Sequence, residues 1–240
     1  MNNKDFEIKS INFNSAFRNS GSISNPSWIL NEPVNNCVGI KLKSAMIPLS
    51  FYTFDNFNNR IYLVEDSNPV VLCQIPIGNY TSSTIATALK NALEEIGVNT
   101  YTVSYSSLTN KINITCATQF KFLSGDFNCY DELGITSNDL NAFSTNFTPS
   151  LVVDFSGVKV INLVSNIGAT AVINRNYKLL GSVICEEDNL SISSFIDDSA
   201  DYINISNKNV NELQISLYDE RFRPLISYKD YSLTVYFLTE

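Results

Sequence analysis

The strongest constraint on the fold lies in the stretch Cys37-Val-Gly-Ile-Lys-Leu-Lys-Ser-Ala-Met-Ile-Pro-Leu-Ser-Phe-Tyr-Thr-Phe54. Val38, Ile40 and Leu42 alternate with Gly39, Lys41 and Lys43, the period of two that marks a strand buried on one face. After Ser44 the phase flips, and Ala45, Ile47 and Leu49 become the apolar set. A slip of one residue turns every side chain to the other face, so the flip predicts a bulge or a bend. Pro48 cannot donate to a ladder and belongs at a strand end or edge. Phe51, Tyr52 and Phe54 then run into the turn-forming Asp55–Asn59. The stretch reads as a strand that bends, stops at a proline and delivers aromatic side chains to one end of a β domain.

Upstream, Phe6 to Phe13 reads as a first strand and Asn14 to Pro33 as polar and turn-rich. Trp28, beside Ile29 and Leu30 just after Pro26, is expected to lie in a strand and fill the core, the alternative being a sugar-stacking position on a surface loop. From Arg60 the pattern changes. Ile61–Val64 and Val70–Pro76 bracket Asp66-Ser-Asn-Pro as a hairpin. Ile85, Ala88, Leu89, Ala92, Leu93 and Ile96 then fall on one apolar face of a helix over 81–97. Thr81 or Ser82 can cap its start, and Gly97 suits a left-handed stop. Tyr101–Tyr105 and Lys111–Cys116 form a further hairpin, Phe120–Leu123 a short strand, and Asp131–Gly134 a single helical turn.

Residues 61–136 therefore read as an inserted α+β segment within a β domain made of 1–60 and 137–240. The later strands are expected at Leu151–Phe155, Val158–Val164, Tyr177–Ile184, Tyr202–Ile205, Val210–Tyr218 and Tyr231–Leu238. In the last two, Leu213, Ile215, Leu217, Leu233, Val235 and Phe237 should point inward together. The loop from Asp219 to Asp230, carrying Arg221 and Arg223, is expected to project outward. Many short strands with turn signals between them predict a sandwich or barrel.

Composition narrows the function. The 240 residues include 31 Asn and 44 Ser plus Thr, which favour turns and element ends over long helices. A net charge of −8 has the wrong sign for coating nucleic acid through phosphate contacts. The sequence contains no histidine. Ser–His and Cys–His nucleophile pairs and imidazole metal sites are thereby excluded. The scattered Cys37, Cys73, Cys116, Cys129 and Cys185 fit small buried thiols in a reducing compartment, with one disulfide or a reactive thiol as the alternative. Met-Asn-Asn-Lys-Asp-Phe-Glu at the start lacks the apolar core of a signal peptide, and no apolar run approaches the ~18 residues of a membrane span. A soluble protein, intracellular when made and without membrane insertion, is expected.

No stretch supplies a catalytic, metal or cofactor set. Glu186-Glu-Asp and Asp197-Asp-Ser-Ala-Asp201 lack the spacing of a calcium loop and read as solvated loops. Gly78-Asn-Tyr-Thr lacks the Gly-Lys-Ser/Thr ending of a phosphate loop and is a helix entry. Five Asn-x-Ser/Thr sequons, at Asn79, Asn113, Asn146, Asn189 and Asn204, are no more than this composition yields by chance.

Three stretches resemble the single jelly-roll penton and minor capsid proteins of virophages and large icosahedral eukaryotic DNA viruses. Ile11-Asn-Phe-Asn-Ser-Ala-Phe-Arg-Asn with Ser24-Asn-Pro-Ser-Trp-Ile-Leu is similar to that family's opening. Ile40 to Phe54 looks like its Ser-Ala-x-Ile-Pro strand, followed by Asn58-Asn59. Ile75-Pro-Ile-Gly-Asn-Tyr-Thr, the helix and Tyr101-Thr-Val-Ser-Tyr complete the match ahead of Glu132-Leu-Gly, and Asn211 to Leu238 fits the closing strands. Residues 137–200 match least, and their strand order is left open. The resemblance implies a mainly β, jelly-roll sandwich acting as a structural virion protein, with no enzyme activity and no cofactor. It implies a five-fold vertex subunit, a homopentamer beside a major capsid protein, made in the host cytoplasm and resident in the virion. A cement protein of the capsid faces and a glycan- or receptor-binding β module are the alternatives.

Overall fold

The computed structural model describes residues 6–168, 177–186 and 191–240, with 206 and 207 described by their backbone alone. The chain divides into two units, Met1–Phe51 with Val158–Glu240, and Tyr52–Gly157. Strands β1 (Glu7–Asn14), β2 (Ser20–Gly21) and β3 (Pro26–Pro48) open the first unit. The second contains β4 (Arg60–Glu65), β5 (Val71–Gln74), helix α1 (Ser82–Ile96), β6 (Tyr101–Ser106), β7 (Lys111–Leu123) and β8 (Ser144–Phe147). The chain then returns to the first unit with β9 (Val160–Ser165), β10 (Leu179–Ile184), β11 (Ile192–Ile196), β12 (Ile203–Tyr218) and β13 (Ser232–Thr239).

The phase flip at Ser44 is a bulge. Val235 of β13 lies opposite Leu42 and Thr234 opposite Ser44, so Lys43 is the extra residue on β3. On its N-terminal side Ile40 and Leu42 point into the core, and beyond it Ala45 and Ile47 do. A second register shift, at Val38, moves that residue out of the inward set. The bulge keeps one face of β3 apolar although the sequence changes phase.

β3 is also longer than its local pattern suggests, because it begins at Pro26 within the polar stretch. It turns at Asn36, whose φ of 52° is left-handed, a conformation asparagine tolerates better than most residues. The Asn36 N–H donates to the Asn209 side chain at 3.2 Å, and β12 shifts register at the same level. Both strands thus pass from one sheet layer to another at a shared corner. Residues 203–205 and 210–218, read as separate strands in the sequence, are parts of the continuous β12.

The layers follow from the pairing. In one, β1 pairs β13, β13 pairs the C-terminal half of β3, and β11 pairs its last residues. In the other, the N-terminal part of β3 pairs β12, β12 pairs β9, and β9 pairs β10, all antiparallel. The layers face each other: a Cβ placed on Gly181 of β10 would lie 2.7 Å from Leu42 Cδ2 of β3, so a side chain here would have to displace the end of Leu42. Leu213, Ile215, Leu217, Leu233, Val235 and Phe237 all enter the shared core with Ile40, Ile47, Ile161 and Val183. Two facing antiparallel layers in this order, the second also carrying β2 on the start of β3, make a jelly-roll β-sandwich.

The second unit is an antiparallel sheet of order β5-β4-β7-β6, with β8 also paired to β7. Thr81 caps α1 and shares a capping box with Thr84. Ile85, Leu89, Ala92 and Leu93 are buried, but Ile96, expected on the same face, is 50% exposed at the last residue of the helix. Gly97 is extended (φ −68°, ψ 165°) instead of left-handed; a Cβ there would meet Leu93 O at 2.5 Å. Asp131–Gly134 forms the expected single turn, with the Leu133 N–H donating to Cys129 O and Gly134 at φ 74°.

This unit is larger than the 61–136 read from the sequence. Phe54 and Phe147 enter its core and Phe155 packs against it, so 52–60 and 137–157 belong with it. Residues 151–155, expected as a strand, are irregular. Their backbone is bonded singly instead: Leu151 N–H donates to Gly134 O, Val153 N–H to Asn110 O and Asp154 N–H to Glu132 O.

Candidate functional site

Of the acidic positions singled out in the sequence, Asp197 and Asp198 serve the fold. They close a clasp with two lysines of β3. Lys41, buried, donates to Ser199 and lies 3.3 Å from Asp197, while Lys43 pairs with Asp198. The Ser199 N–H and hydroxyl, then Lys41, hold the Asp197 carboxyl below the usual carboxylate range. Among the described residues no group of three or more His, Cys, Asp or Glu side chains is placed to hold a metal ion. Glu187, Asp188 and Asn189 lie outside the described residues.

The loop after β12 folds back instead of projecting. Buried Asp219 accepts the backbone N–H groups of Arg221 and Arg223 at 2.9 and 2.7 Å, and Arg223 Nε at 2.6 Å. Leu225 is buried and its N–H returns to Leu217 O. Arg223 therefore holds its own loop, correcting the expectation that the loop projects outward. Trp28 is a core residue: its Nε1 donates to Asn14 O at 2.9 Å and its ring packs on Phe13, so it offers no sugar platform. The five cysteines are free, and burial pushes the Cys73 thiol up to about 12 and the Cys185 thiol up to about 11.

Glu65 is the clearest buried carboxylate in the second unit, at 3% exposure. Burial raises its pKa, but the N–H groups of Val98 (2.7 Å) and Asn99 (3.0 Å) and the Tyr101 hydroxyl (2.8 Å) outweigh it and hold the carboxyl below its ordinary range. This anion fixes the chain where it leaves α1 for β6. A lowered folded-state pKa contributes stability above the unfolded pKa of ~4.3 and loses it as pH falls through the folded value. Glu65→Gln keeps one acceptor oxygen but turns an amide donor towards another donor. It should lower stability by about 1–2 kcal/mol at pH 7. Urea midpoints should show parent and variant converging as pH drops below 4; a constant gap would contradict the charged role of Glu65.

What the surface offers is a sheet edge. Among the described residues β11 pairs only with β3, through Ile192 to Pro48, Ser194 to Met46 and Ile196 to Ser44. Cross-strand partners share a face, so Ile192, Ile196 and Met46 stand together on the outer side, diagonal to one another. They are 55%, 69% and 53% exposed. The strand itself, Ile192-Ser-Ser-Phe-Ile196, has no charge, proline or glycine to blunt pairing. The sequence reading missed β11, because apolar residues on both its faces erase the alternation. No described helix is long and apolar enough to cross a membrane.

The architecture is thus that of a jelly roll carrying an α+β unit between β3 and β9. No protein-family model matches the sequence, and no curated protein matches it. Among solved structures, the selenomethionine-labelled mavirus penton protein is similar, with a TM-score of 0.44 and 13% identity over 96% of this chain and 99% of that one.

Proposed function

We propose that this chain is a structural subunit of an icosahedral viral shell and that it closes the five-fold vertices. The observation that carries the reading is the jelly roll whose outer layer ends in an uncharged edge strand with Ile192, Ile196 and Met46 facing outward. A closed ring repeats one heterologous contact, for which an open edge on one copy and a different patch on the next are suited. The motifs at Ile11–Leu30, Ile40–Phe54 and Ile75–Tyr105, which resemble those of penton and minor capsid proteins, support the same reading. The partners are four further copies and the major capsid protein around the vertex. The burial of Trp28 takes away one of the two features that favoured a glycan-binding module, the Asn-rich loops being the other.

Native mass spectrometry of concentrated protein tests this. Five copies of the 26.8 kDa chain give a particle of about 134 kDa. Ile192→Lys with Ile196→Lys, at positions exposed in the single chain, should return the particle to a folded monomer. A stable trimer would instead favour a cement protein of the shell faces.

A further inference from the structure

A second uncharged edge lies in the inserted unit, and it borders a groove. β5 is the terminal strand of its sheet, and among the described residues it pairs only with β4. The Ile75 N–H donates to Asn59 O at 2.9 Å, so in the antiparallel ladder Ile75, Cys73 and Val71 exchange bonds with the neighbouring strand. The alternate residues, Leu72 and Gln74, direct their N–H and C=O groups away from β4. From Val70 to Ile77 the sequence Val-Val-Leu-Cys-Gln-Ile-Pro-Ile carries no charge, and Val70, Leu72 and Ile77 are exposed. Pro69 and Pro76 bracket the slot and limit its length, since neither can donate to an added strand.

Beside this edge runs a groove of about 410 Å³ between β5 and α1, lined by Gln74, Thr87, Ala88, Asn91, Ala92 and Glu95 among others. Ala88 and Ala92 are one turn apart and make a floor of small side chains. Thr87, Asn91 and Gln74 add hydroxyl and amide groups. The only charge on the lining is the carboxylate of Glu95; Lys90 is turned to Glu94 at 3.6 Å. Backbone donors and acceptors repeating every second residue match the repeat of an extended chain. A small apolar floor admits an aliphatic side chain, and a lone negative charge selects a cation.

We propose that this groove takes an extended segment of another protein chain, added as a strand along β5. Its backbone pairs with Leu72 and Gln74, an aliphatic side chain covers Ala88 and Ala92, and a Lys or Arg meets Glu95. The proposal rests on the second unit alone and is independent of the vertex reading.

The test is to pan a displayed library of random dodecapeptides against the whole chain, then synthesise the enriched peptides. They should carry a basic residue and shift the Leu72 and Gln74 amide resonances on binding. Gln74→Pro removes an outward N–H at a strand edge that tolerates proline, and should weaken binding at least ten-fold. Asn91→Arg, exposed on α1, should do the same through bulk and like charge, and it keeps the test intact should the proline variant misfold. Enrichment of no peptide that shifts these amides would overturn the proposal. So would peptides that lack a basic residue, or parent affinity in the Asn91→Arg chain.

Discussion

Truncation after Ser227 should yield protein that is insoluble or unfolded. The residues removed include all of β13, which lies between β1 and the C-terminal half of β3 and pairs with both. Leu233, Val235 and Phe237 are lost from the core, each contributing about 1.5–3 kcal/mol on burial. β1 loses its strand partner, and Ser15 loses the Tyr231 N–H and the Asp230 carboxylate. The sum rivals the ~5–15 kcal/mol by which domains of ordinary size are stable. Solubility and a thermal melt followed by circular dichroism check it. A soluble product that melts cooperatively would mean that β13 is an exchangeable arm and that the first unit holds without it.

Leu89→Asp should unfold the second unit. Leu89 is fully buried with Ile85, Ala92 and Leu93 on the face that α1 turns to its sheet. Truncating a buried leucine alone costs about 2–5 kcal/mol, and the aspartate adds a desolvated carboxyl with no partner placed to receive it. Urea unfolding should show the loss as a separate early transition, because Tyr52–Gly157 has its own core. A parent-like midpoint would show that the helix is not packed as described.

The features legible in the sequence were those set by local period. The flip at Ser44 announced the bulge at Lys43. Alternation at 213–217 and 233–237 gave both the strands and their inward faces, and the spacing from Ile85 to Leu93 gave the helix. What could not be read was decided by residues far apart. A strand around Trp28 could be read locally, but not its continuity with 37–48, which depends on β12, whose Leu213 and Gln214 pair with Trp28 and Ser27. Arg223 looked like an outward cation until Asp219 proved to be buried beneath it. β11 and the groove beside β5 are properties of sheet order, which single-strand patterns do not encode. The limits of the inserted unit failed for the same reason: Phe54 and Phe147 belong to its core through contacts across the whole insertion.

The position of β13 between β1 and β3 has a consequence for how the molecule is born. Residues 7–48 are made before 232–239, yet neither β1 nor the C-terminal half of β3 can complete its hydrogen bonding without them. The intervening Tyr52–Gly157 is contiguous and closes its own sheet, so it can fold on the nascent chain while the sandwich waits. During that wait the edges that β13 will cover stand open beside those of neighbouring nascent chains. Closure of the sandwich therefore waits on β13, the strand that joins β1 to the C-terminal half of β3.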